Sequence, residues 1–290
     1  MTIVNIKTKK TIGVIIIIIL VTTAFLIYST KSYEFQSKKS DVTSDSLSDI
    51  KNFAVYYGYT VNQTVLNYLN GFNMVIVQPD AFSVSNLSVL SSIKIAYIDL
   101  GEYDGSNLGN FTINASTIAI GYDSQWNQTI VNVTSNLWNE YILNMVNQSL
   151  KLGFNGVLFD DLDVVEQYPW EYNSFVDIIS NVSHTFPHAI IGVNRGFELL
   201  KSMSKYVSFD LYEDFGSLYN FSTDSYQILN ISQRNNLTNR LEMIQSLGIY
   251  VLGLGYSGLP YDFTYNYDLE LGKYCNIPVY VSNITLSSLW

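Results

Sequence analysis

The chain has 290 residues, 48% of them hydrophobic and 14% aromatic, ample for a buried core of one large domain or two small ones and too apolar for a disordered chain. Its 15 basic and 25 acidic side chains leave a net charge of -10, which argues against nucleic acid as a partner. One cysteine, Cys275, excludes an intramolecular disulfide, and with only His184 and His188 beside it a zinc site of His/Cys type lacks its ligands.

At the N-terminus, Thr11 to Tyr28 is a run of 18 residues without a charge. As a helix it would rise about 27 Å, enough to span a bilayer core. Lys7, Lys9 and Lys10 precede it, so the positive-inside rule places the N-terminus in the cytoplasm and the rest outside. Residues 1–30 thus read as a cytoplasmic Lys cluster and a single-pass transmembrane signal anchor (11–28), with the membrane as a partner. A cleaved signal peptide, giving a secreted protein, is the competing reading. Residues 31–51, rich in Ser, Lys and Asp, read as a flexible linker, and residues 52–290 as the folded domain.

An extracellular, glycosylated domain draws support from Asn-x-Ser/Thr sites. They begin at Asn62, Asn86, Asn110, Asn114, Asn127, Asn132, Asn147, Asn181, Asn220, Asn230, Asn236 and Asn283. Roughly five would arise by chance from the 28 Asn and 50 Ser/Thr of the chain.

From residue 53 onward, short β-rich runs alternate with amphipathic stretches. Strands are expected at Phe53–Tyr59, Met74–Gln78, Lys94–Leu100, Gly156–Asp161, Ala189–Asn194, Tyr206–Tyr212, Ile249–Gly255 and Pro278–Ser282. Helices are expected between them, at Val61–Asn70, Val84–Ser91, Ser135–Leu152, Tyr172–Ser183, Phe197–Ser204, Ser232–Leu247 and Tyr265–Tyr274. Leu137, Tyr141, Met145 and Leu152 mark the apolar face of one long helix, and Leu237, Leu241, Ile244 and Leu247 that of the other. Gly71, Gly153, Gly248 and Gly272 are placed to end helices. Eight strands, each a continuous apolar run, point to an α/β fold of the (β/α)8 TIM-barrel class, preceded by the single transmembrane helix and short linker. An open doubly wound sheet is the alternative, without the Gly-rich phosphate loop of its nucleotide-binding version.

In such a barrel the site is built at the C-terminal ends of the strands. Acids collect there: Asp80 after strand two, Asp99 and Glu102 after three, Asp160, Asp161 and Asp163 after four, Glu213 and Asp214 after six. Asn194 ends strand five, and Tyr57, Trp126, Trp170 and Tyr256 are candidate platforms for a sugar ring. Paired carboxyls with stacking aromatics are the needs of glycoside hydrolysis, which requires neither His nor Cys. Capping or solvation competes for Asp104, Asp163 and Asp214. The Asp160–Asp163 run lacks the spacing and glycine of a calcium loop, so neither metal nor cofactor is expected.

The run Gly153-Phe154-Asn155-Gly156-Val157-Leu158-Phe159-Asp160-Asp161-Leu162-Asp163 resembles the Gly-Phe-Asp-Gly-Val-x-x-Asp-Asn-x-Asp signature of glycoside hydrolase family 114, the endo-α-1,4-polygalactosaminidase-like TIM-barrel family. Val77–Phe82 and Ala96–Glu102 are similar to further segments of that family. Asn155 replaces its usual Asp, Asp161 stands where Asn is frequent, and the strand ending Leu254-Gly255-Tyr256-Ser257 lacks an acid. The resemblance implies a polysaccharide substrate, a galactosamine-type α-1,4 polymer being the candidate. It also implies that Asp160 attacks the anomeric carbon or directs water to it, with Glu213 as general acid/base. Asp80, Asp99, Glu102, Asp161 and Asn194 would then orient the sugar. A surface glycan-binding or architectural module on the same scaffold is the second hypothesis, favoured if Asp160 or Glu213 were tied to Arg195. The sequence is silent on oligomeric state.

Overall fold

The computed structural model describes residues 47–109 and 111–290. The expected anchor, nearly all of the expected linker and Asn110 lie outside the described residues. Among the described residues, no helix is long and apolar enough to cross a membrane.

In chain order the domain runs β1 (Phe53–Tyr56), α1 (Gln63–Leu69), β2 (Met74–Val77), α2 (Val84–Ser88) and β3 (Ile93–Asp99). An antiparallel insertion follows: β4 (Glu102–Tyr103), β5 (Ala119–Asp123) and β6 (Gln128–Val131). The pattern resumes with α3 (Asn136–Leu152), β7 (Gly156–Asp160), α4 (Val164–Gln167), α5 (Tyr172–Thr185), β8 (Ile190–Asn194), α6 (Phe197–Met203) and β9 (Phe209–Glu213). A hairpin, β10 (Ser217–Asn220) and β11 (Ser225–Ile228), precedes α7 (Ile231–Ser246), β12 (Tyr250–Tyr256), α8 (Phe263–Cys275) and β13 (Val279–Ser282).

Eight strands form one parallel sheet in the order β1-β2-β3-β7-β8-β9-β12-β13. Its edges are drawn together. Tyr57 N–H donates to Leu286 O at 2.8 Å, and the Tyr68 hydroxyl to Trp290 O at 2.7 Å. The result is a nearly closed α/β barrel. β1 (Phe-Ala-Val-Tyr) and β2 (Met-Val-Ile-Val) are buried at every residue, as parallel strands must be when helices cover one face and the barrel core fills the other.

All eight expected strands and seven expected helices are present, with ends moved by up to three residues. Three details differ. The buried face of α3 is Trp138, Tyr141, Ile142, Met145 and Val146, so Leu137 and Leu152 lie at its margin and are half-buried. Each large side chain so buried contributes roughly 1.5–3 kcal/mol. Gly153 caps α3 at φ 113°, but Gly272 lies inside α8, and Asn276 at φ 54° is the left-handed cap there. The two antiparallel insertions went unread.

Candidate active site

Three adjacent strands end alike. β7, β8 and β9 stop at Asp160, Asn194 and Glu213, and each next residue turns left-handed: Asp161 (φ 60°), Arg195 (φ 57°) and Asp214 (φ 54°). That conformation costs a non-glycine residue on the order of 1–2 kcal/mol, less for Asp, whose short side chain bonds locally. Asp161 recovers part of it by donating its N–H to Asp160 Oδ1 at 2.8 Å. Arg195 donates its N–H to Leu211 O at 3.1 Å, and its guanidinium bridges Asp163 (3.8 Å) and Asp214 (3.7 Å). It pairs with neither Asp160 nor Glu213. At the end of β3, a Cβ on Gly101 would stand 2.1 Å from Asp161 O, so only glycine lets the chain turn into β4 there.

These turns surround a cavity of about 490 Å³. Nine carboxyls line it (Glu102, Asp104, Asp123, Asp160, Asp161, Asp163, Glu166, Glu213 and Asp214) against one cation, Arg195. Glu213 is held at both oxygens: the Tyr256 hydroxyl donates to Oε1, and Asn194 Nδ2 donates to Oε2 at 2.7 Å. Asp160 sits in register opposite Asp99 across the β3–β7 ladder. Burial holds the Asp160 carboxyl well above the usual range, and the charges of Glu213 and Asp99 push it the same way. Burial raises Asp161 too, followed by Asp160 and Asp99, and its Oδ2 has no hydrogen-bond partner.

The second rank of acids shares the cause. Asp99 is pushed to about 7 by burial and Asp104, against the pull of the Tyr97 hydroxyl, which donates to Oδ1 at 2.5 Å. Glu102 reaches about 7 through burial, Asp123, Asp99 and Asp163. Asp214 reaches about 7 through burial and Glu213, with Arg195 opposing. Burial works against the Arg195 charge, but Glu213, Asp163 and Asp214 more than offset it. The site is a desolvated anionic pocket short of counter-charge.

Of the sequence-derived candidates, Asp160, Glu213, Tyr57, Glu102, Asp161, Asn194, Tyr256 and Trp126 line this cavity together. Asp99 lies in the smaller recess beside it with Tyr97, Glu102 and Gln78. Asp80 is exposed and accepts the Tyr59 hydroxyl at 3.4 Å, outside the cavity lining. Trp170 also lies outside it, 65% exposed and edge-on to Tyr168 at 5.2 Å. Asp104 accepts the Ser106 N–H at 2.7 Å, the local turn that competes with a functional role.

Sequence reasoning missed Asp123, Tyr219 and Phe221, all carried by the insertions. Trp126, in the β5–β6 turn, meets Phe221, after β10, edge-on at 5.4 Å. The two insertions therefore touch at the cavity. The flanked turn Tyr219-Asn220-Phe221-Ser222-Thr223-Asp224 was the available signal for the hairpin. Among the described residues, no group of His, Cys, Asp and Glu is arranged to hold a metal ion.

Barrel and carboxyl-lined mouth together define a (β/α)8 enzyme of the glycoside-hydrolase class. The chain matches the family model described as glycoside-hydrolase family GH114 over residues 51–245, and it belongs to that family. No curated protein sequence matches it. Among solved structures, the glycoside hydrolase domain of PelA from Pseudomonas aeruginosa superposes with a TM-score of 0.71 at 18% identity, covering 83% of this chain and 97% of that one. Ega3 from Aspergillus fumigatus, solved in complex with galactosamine, gives a TM-score of 0.65 at 14% identity, covering 83% of this chain and 93% of that one. At these identities the likeness establishes the fold.

Proposed function

We propose that this glycoside hydrolase cleaves within a polymer of cationic amino sugars, of the α-1,4-linked galactosamine type. The carrying observation is the lining of nine carboxyls against Arg195 alone, itself engaged by Asp163 and Asp214. A neutral glycan leaves such a pocket without counter-charge; a protonated amino sugar supplies it. The galactosamine found with Ega3 agrees in chemistry with that reading.

Asp160 and Glu213 are the proposed pair, Asp160 attacking or directing water and Glu213 donating and recovering the proton. A cationic ring in the mouth offsets the neighbouring charges that raise Asp160, so bound substrate favours the carboxylate that attack requires. Asp99, Glu102, Asp161 and Asn194 orient the sugar. Tyr57, Tyr256 and Trp126 offer ring faces, with Tyr57 packed on Tyr97 at 4.3 Å between centroids.

The test offers galactosamine oligomers and their fully N-acetylated counterparts, with products read by mass spectrometry. Internal cleavage of the free-amine oligomers, with the acetylated ones spared, is expected. Equal cleavage of both removes the charge argument.

We further propose that the domain stands outside the cell, held by residues 11–28 and carrying glycans at its Asn-x-Ser/Thr sites. Recovery from membranes with a mass reduced by deglycosylation is the expected outcome. A soluble cytosolic product of unmodified mass contradicts it.

A further inference from the structure

Asp268 stands midway along α8, outside the ring of strands, yet it is fully buried. Its Oδ2 meets Ser217 Oγ, and its Oδ1 has no hydrogen-bond partner. Among the described residues, no Lys or Arg pairs with it. Two glycines make its space. A Cβ on Gly255, within β12, would stand 2.3 Å from Oδ2, and one on Gly216, just before β10, 2.4 Å from Oδ1. The acid thus reaches into the barrel wall through a gap that any other residue would close.

The hydrogens at Ser217 Oγ can be counted. Tyr256 N–H donates into it at 2.8 Å. Tyr256 O lies 2.7 Å away and can only accept. Asp268 Oδ2 is the third neighbour. The hydroxyl has one hydrogen. If that hydrogen serves the Tyr256 carbonyl, the contact with Asp268 needs a proton from Asp268. If Asp268 is ionised, it takes the hydroxyl hydrogen, and the buried carbonyl faces a bare oxygen. Only the neutral acid completes all three bonds. Burial agrees, pushing the Asp268 carboxyl up to about 7 against the pull of Ser217 Oγ and of the Gly216 and Ser217 N–H groups. At the other end, the Tyr256 side chain donates to Glu213 Oε1.

We propose that Asp268 is a positioning residue for Glu213, acting as a hydrogen donor to Ser217, which locks the Tyr256 backbone so that the Tyr256 hydroxyl holds Glu213 Oε1. It rests on Glu213 belonging to the hydrolytic pair. The titratable groups on the elements packed against α8 are Tyr219, Tyr226, Tyr250, Tyr256 and Tyr280, with Arg234 of α7 donating to the Tyr267 hydroxyl on α8 at 3.4 Å. Beside them stands Asp214, which the Asp268 charge would raise. No cation acts on Asp268 to hold it ionised.

The test compares the full-length protein with Asp268→Asn and Ser217→Ala, reading kcat and KM on galactosamine oligomers across pH and thermal unfolding across the same range. The carboxamide of Asn donates to Ser217 as the neutral acid does, and it does not titrate. Asp268→Asn is expected to keep kcat within about threefold in acid, and to hold it further into the alkaline range than the parent. Ser217→Ala is expected to lose between about 10- and 100-fold in kcat with little change in KM. In unfolding, Asp268→Asn should lose less stability than the parent as pH rises through about 7. An unshifted alkaline limb, or a loss in acid equal to that of Ser217→Ala, overturns the proposal. If the parent cleaves no amino-sugar oligomer, the substrate reading fails, whereas an unfolding curve for Asp268→Asn that tracks the parent overturns the protonated Asp268 by itself.

Discussion

The two ends of the barrel strands use short polar side chains to opposite effect, amides at one end and carboxyls at the other. At the N-terminal end, Asn155 Oδ1 accepts the Lys94 N–H at 2.9 Å, while the Asn155 N–H donates to Lys94 O at 2.7 Å, stitching β3 to β7. Asn52 and Asn73 do the same for β1 and β2: Asn73 N–H donates to Asn52 Oδ1 at 2.9 Å and Lys51 N–H to Asn73 Oδ1 at 2.9 Å. At the C-terminal end of β3 and β7, Asp99 and Asp160 stand in register with no cation between them. One end completes its hydrogen bonds and holds the fold. The other leaves carboxyls desolvated and mutually repelling, a cost tolerated where a ligand is to relieve it.

The largest expected contrast comes from substitutions at the repelling end. Asp160→Asn and Glu213→Gln should each lower kcat by about 10²–10⁴-fold while leaving the unfolding temperature equal or higher. Rates near parental in either variant would break the assignment. At the other end, Asn155→Ala should cost about 1 kcal/mol in denaturant unfolding, because the half-buried Lys94 N–H loses its acceptor while the backbone bond to Lys94 O remains, with activity per folded molecule intact.

pH sharpens the same contrast. Asp99, Glu102, Asp214 and Asp268 rise to about 7 in the folded chain from ordinary values of 3.8 or 4.5. Between those values the folded state keeps protons that the unfolded chain has released, so stability falls as pH rises from about 4 through 7. Thermal unfolding should show its highest midpoint in mild acid and a decline toward pH ~8; a midpoint that climbs over that range contradicts the shifts. The smallest effect is expected of Asp161→Asn. It replaces a buried carboxyl that Asp160 and Asp99 repel with a neutral amide, at a left-handed position that Asn accepts, so a gain of about 1 kcal/mol in stability should accompany weaker binding of a cationic substrate.

The asparagines repeat the lesson on a smaller scale. Asn62 and Asn230 cap α1 and α7, accepting the N–H of Val65 and Gln233. In Asn114, Asn132 and Asn220 the side chain accepts the N–H of the Ser or Thr two positions on. The triplets counted as glycan acceptors are therefore also turn and cap signals, a second physical reason for their abundance. The proposed mass shift on deglycosylation separates the two.

Eight apolar strands and seven helices could be read from the chain because burial on both sheet faces leaves a one-dimensional trace in hydrophobicity. That Asp160 and Glu213 stand at the mouth of the barrel could be read because in a parallel barrel a strand's C-terminal end is an address for function. The insertions could not: β10 and β11 are short, mostly half-buried and polar, so they lack the pattern that burial imposes. Nor could the exclusion of Asp80 and Trp170 from the cavity, which depends on where exposed loops point.

The order of residues alone settled the eight barrel strands and the seven longer helices, the family and the ends of strands where acids gather. Tertiary structure decided which of those acids share a desolvated pocket, that Trp126 meets Phe221, and that Asp268 reaches Tyr256 from the far side of the wall. Hydrophobic pattern is a local property of the chain, whereas charge density and hydrogen-bond completeness exist only once distant segments are brought together.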